Sequence, residues 1–141
     1  MKLCISFLMT FFFASCAAAP PAKNVADENK QARNKEIALK NEATELTRVA
    51  QKLDQQGRGM EIFRQAGNAE NLRECGAAMA DAQKQLKDFE ERTGKLPDNY
   101  RASLLPISGD LAECVSCERK AMDACRRARA SINQAIKQLY P

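Results

Sequence analysis

The sequence predicts an all-α fold: a three-helix, coiled-coil-like bundle in which a long N-terminal helix packs along an antiparallel helical hairpin. Three observations predict it. Alanine, glutamate, lysine, arginine and glutamine dominate the body of the chain, while aromatics make up only 6%, a balance typical of packed helices rather than sheets. Apolar residues recur at helical spacing along most of the chain. Finally, the second and third stripes, folded back on each other, bring Phe89 level with Leu111, Leu86 with Val115, Met79 with Met122 and Cys75 with Cys125.

The first helix is expected from about residue 26 to 56. Val25, Ala32, Leu39, Leu46, Leu53 and Met60 recur every seven residues, Ala43 and Ala50 widen the stripe, and Gly57 and Gly59 close it. Glu36 and Lys40 add a favourable i, i+4 pair. The second helix is expected from Ala69 to Thr93, with Asn68 as N-cap and Gly94 as stop. "GKLPDNYRASLLP" reads as the connection because it holds two prolines. The third helix is expected to open at Asp110, whose Glu113 completes a capping box. It carries Leu111, Val115, Met122, Cys125, Ile132, Ile136 and Leu139 as its stripe, with Glu118 and Arg129 as polar flaws.

The N-terminus reads as an export signal. One cation at Lys2 precedes an uncharged apolar run from Leu3 to Phe13, too short to span a bilayer and followed by Pro20-Pro21. Phe13-Ala14-Ser15-Cys16 resembles the lipobox of bacterial lipoproteins. That resemblance implies a diacylated Cys16 at the mature N-terminus, a membrane anchor and, with Ala17 behind the cysteine, outer-membrane sorting. Residues 1–15 are then the signal peptide, 16–25 a flexible tether and 26–141 the helical domain. Ordinary signal peptidase cleavage beside Cys16, giving an untethered secreted module, is the alternative. Of the six cysteines, Cys4 goes with the signal, and four remain to pair under either scheme.

Those four are Cys75, Cys114, Cys117 and Cys125. In an exported chain they are expected as disulfides, with Cys75 bonded to Cys125 at one level of the hairpin. Cys114 and Cys117 then bond to each other across one helical turn, which suggests a second reading as a thiol–disulfide redox pair. Acidic Asp110 and Glu113 oppose thiolate formation there, and no strand pattern precedes the motif. A structural role is therefore expected for both bonds, with no metal site and no cofactor.

Histidine is absent, which excludes imidazole-based triads and zinc–histidine sites. No nucleophile–base pair, phosphate loop or carboxylate dyad stands out, so no catalytic residue is expected. The expected role is a small envelope lipoprotein acting non-catalytically through contacts with another envelope protein, as adaptor, assembly factor or inhibitor. Leu39 and Leu46 on the long helix are its expected contact surface. Arg126, Arg127 and Arg129 form a basic end of the last helix that suits an anionic surface. Without aromatic interleaving, nucleic acid is not an expected partner. Self-association is compatible with the alanine-rich heptads.

Overall fold

The computed structural model describes Val25–Tyr140, with side chains from Asp27 onward. The signal segment, Cys16 and the tether before Val25 lie outside the described residues. The described chain is helical throughout: α1 (Val25–Gly59), α2 (Glu61–Ala66), α3 (Ala69–Gly94), α4 (Asp98–Cys114) and α5 (Ala121–Leu139). This is the expected all-α bundle, with a long first helix packed along an antiparallel hairpin, but it has four long helices and not three. The arms of that hairpin differ from expectation. They are α4 and α5, tied by the Asp110–Arg127 ion pair at 2.7 Å, and not the second helix with the last.

The difference arises in the segment read as a loop. Tyr100, Leu104, Ile107, Leu111 and Cys114 alternate steps of four and three, the signature of a buried helical face. Pro97 sits just before the first turn of α4, where a missing N–H costs nothing. Pro106 lies inside the helix and leaves the Ala102 carbonyl without its helical donor. Both residues are exposed, so water can take that carbonyl and the helix survives.

The last stripe breaks where the sequence carried a flaw. Helix α4 ends at Cys114 and α5 starts at Ala121, with Glu118 in the turn between them. The other flaw, Arg129, stays helical but points its guanidinium at Asp54 of α1. At the other end of the chain, Gly57 does not stop α1, which runs on to Gly59. Gly67 does act as a stop, since its φ of 62° after α2 is a conformation that favours glycine.

The four long helices alternate in direction. Arg92 near the end of α3 meets Glu42 of α1 at 2.8 Å, and the Tyr140 hydroxyl just beyond α5 meets Thr44. Helices α1 and α4 each pack against all three of the other long helices, whereas α3 and α5 flank them and make no comparable contact with each other. Leu46, Leu53, Phe89, Leu104, Ile107, Leu111 and Ile132 fill the centre at 1% exposure or less. Burying each such side chain is worth about 1.5–3 kcal/mol.

Packing covers only part of α1. Asp27 through Ala38 are all exposed, and burial begins at Leu39 and Ala43. Residues 27–35 therefore stand out from the bundle as a polar rod, and Ile37, at 50% exposure, marks where packing sets in. Among the described residues, no helix is long and apolar enough to cross a membrane.

Candidate functional site: the disulfide-bonded pole

Both disulfides lie at the end of the bundle where α1 runs out. Cys75 in α3 bonds Cys117 in the turn before α5, with Cα atoms 6.0 Å apart. Cys114 at the end of α4 bonds Cys125 in α5, with Cα atoms 4.6 Å apart. All four cysteines are thus bonded, but in a different pairing from the expected Cys75–Cys125 and Cys114–Cys117. The break after Cys114 explains the exchange. It takes Cys117 off the helix and toward α3, while the tight α4–α5 turn sets Cys114 beside Cys125. The redox reading loses its dithiol, because each cysteine of "CVSC" is bonded elsewhere.

Three residues whose part here the sequence does not reveal build the pole around these bonds. Gly57 is one. A Cβ there would fall 2.4 Å from the Cys114 sulfur and 2.7 Å from its carbonyl oxygen, so only glycine lets α1 lie this close to the bond. Arg64 is the second, with a side chain only 1% exposed. Its Nη2 donates to the Cys114 carbonyl at 2.7 Å and its Nε to that of Ser116 at 2.9 Å. Carbonyls at the end of α4 have no helical donor of their own, and a buried guanidinium supplies one. Glu61 balances the charge through Nη1 at 3.0 Å.

Asp54 is the third. Its side chain is 6% exposed, and its Oδ2 accepts from Arg58 at 3.1 Å and Arg129 at 3.2 Å. Its Oδ1 is buried without a partner. A carboxylate oxygen of Asp54 lies within 4.8 Å of the Cys114 and Cys125 sulfurs, but the disulfide spends both sulfurs and leaves no thiolate to hold a metal. The sequence did carry a hint of Asp54. It falls four residues after Ala50, on the buried stripe, where an unpaired carboxylate would be costly.

The expected contact residues are placed differently from one another. Leu46 is 0% exposed and Leu39 packs against the core. Leu46 is therefore not available as a docking surface, which corrects the expectation for that residue, whereas Leu39 is only partly buried. The basic end of α5 is exposed but matched. Arg126 pairs with Asp123, Arg127 with Asp110 and Glu113, and Arg129 with Asp54. The acids that neutralise it come from α4 and α1 as well as α5, which reading α5 by itself could not reveal. The hydrogen bond from Arg126, reinforced by its charge, holds the Asp123 carboxyl below its ordinary range. That pair therefore supports the fold above the usual aspartate pKa and is lost as pH falls through the lowered value.

The pole also presents apolar side chains to solvent. Ile62 of α2 is 74% exposed and Leu72 of α3 is 52% exposed. Comparison with protein families, curated proteins and solved structures finds no match to this chain.

Proposed function

We propose that this protein is a small exported envelope lipoprotein, anchored through Cys16, that acts without catalysis by binding another envelope protein through its disulfide-bonded pole. The exposed first turns of α1 carry the proposal. Residues 27–35 are polar but for Ala32 and exposed throughout, and they extend α1 by about 14 Å at 1.5 Å per residue. A helix that is polar all round is suited to bridging through solvent. On this proposal it separates the tether from the bundle, and the opposite pole, with Ile62 and Leu72, is the end turned from the anchor.

The disulfides support this reading, since bonds of this kind suit an oxidising compartment and give the contact surface a rigid base. The first test is the intact mass of the mature protein from an envelope fraction, with and without reduction before alkylation. A chain starting at Cys16 plus acyl groups, gaining four alkylations only on reduction, is the expected result. A bare chain starting after Cys16 would replace the anchor with secretion. The contact surface is tested separately with a photo-crosslinking residue at position 62 and, as control, at Gln83 on the exposed side of α3. Adducts are expected from position 62 alone, and equal yields at both positions would move the interface elsewhere.

A further inference from the structure

The seam between α4 and α5, on the other half of the bundle, carries an uncharged cleft. Two cavities of about 220 and 370 Å³ share Asn99, Ser103 and Gln138 and so form one groove. The smaller has no charged residue in its walls, although charged residues make up 28% of the chain. Its walls are matched across the seam in the antiparallel register that pairs Asp110 with Arg127. Asn99 stands opposite Gln138 and Ser103 opposite Gln134, which sets amide and hydroxyl groups along both sides. Between these rungs Ala102 lies level with the buried Ala135, and Pro106 with Ser131 beyond them, so that Ala102 and Pro106 give the groove a methyl and a ring surface.

We propose that this groove binds an uncharged glycan strand. A pyranose ring has apolar C–H faces and a rim of hydroxyls. The exposed methyl of Ala102 and ring of Pro106 suit the faces, and the amides suit the rim, since Asn and Gln side chains both donate and accept. Asn99, Gln134 and Gln138 are exposed and engage no other side chain among the described residues, so binding need not break an internal bond. From Asn99 to Pro106 the groove runs about 10 Å along the helix, room for two sugar rings. The larger cavity continues it to Tyr100 of α4 and to Glu36 and Lys40 of α1. A charged amphipathic helix would find no ionic partner along the smaller cavity. This inference stands on the groove's chemistry and is independent of the anchor and of the pole.

The test is a titration of the full-length protein, followed by amide resonances, with N-acetylglucosamine hexamer and, separately, maltohexaose. At least one of the two is expected to shift resonances of Asn99, Ser103, Gln134 and Gln138 with a dissociation constant on the order of 1 mM or tighter. A Gln134→Ala, Gln138→Ala double variant should weaken that binding about tenfold while keeping the wild-type thermal midpoint, because both side chains are exposed. Ala102→Trp, also at an exposed position, should abolish binding by filling the groove. Silence from both oligosaccharides, shifts confined to other surfaces, or affinity unchanged in the double variant would overturn the proposal. So would seam shifts that depend on protein concentration and not on saccharide, which would make the groove a self-association surface.

Discussion

At the residue scale, two glycines two positions apart make opposite demands. Gly57 is pressed against the Cys114 sulfur and carbonyl, whereas a Cβ on Gly59 would meet nothing within 4 Å. Gly57→Ala should therefore destabilise by about 1–3 kcal/mol, the usual cost of overpacking. Gly59→Ala should stabilise by up to about 1 kcal/mol through helix propensity. Denaturant unfolding of both variants checks the contrast, and equal effects would mean that α1 does not lie against the bond. Arg64 carries a larger share of the pole. Arg64→Met keeps much of the packing but strips donors from the carbonyls of Cys114 and Ser116 and leaves Glu61 without its cation. A loss of about 2–4 kcal/mol is expected from the same measurement.

At the element scale, α1 divides into a rod and a core helix. Deleting residues 27–37 removes side chains that are exposed throughout, so the thermal midpoint should stay within about 2 °C of the parent. Leu46→Lys, only seven residues after Leu39, should instead cost more than about 3 kcal/mol, because it puts an ammonium among fully buried side chains. Circular dichroism melts of the two variants would show the boundary. A stable Leu46→Lys protein would mean that α1 is not packed as described. The proline in α4 illustrates the same point about context. Pro106 is tolerated because it lies on the exposed side, and a proline at Ile107, which is 0% exposed, would not be.

At the scale of the whole molecule, the disulfides close the pole across three helices and a turn. Cys75–Cys117 spans a separation of 42 residues and Cys114–Cys125 one of 11. On the chain-entropy model these contribute about 4 and about 3 kcal/mol respectively. The pairing is directly measurable. Trypsin without reduction should release one species joining three peptides, residues 74–84, 102–119 and 121–126, because the middle peptide holds both Cys114 and Cys117. Had Cys75 bonded Cys125, a two-peptide species would appear beside an internally bonded middle peptide. Serine at both Cys75 and Cys117 should lower stability more than serine at Cys114 and Cys125, as the longer loop gains more freedom in the unfolded chain.

The sequence by itself determined the helical class, the long first helix, the helix from Ala69 with its Asn68 cap, and the bonding of all four downstream cysteines. Those properties are local, because spacing, capping chemistry and composition act within a few turns. Tertiary structure decided which helices pair, and with that which cysteines bond. A stripe such as Leu111, Val115, Met122 and Cys125 is equally apolar whether its helix is continuous or broken at Glu118. Only packing against α1 and α4 distinguishes the two. Two prolines hid α4, because whether Pro106 breaks a helix depends on which side faces water. The pole was hidden for a related reason. Gly57 reads locally as a helix stop, Arg64 and Asp54 as ordinary charges, and all three take on their part only when Cys114, some 50 residues or more away, is folded against them.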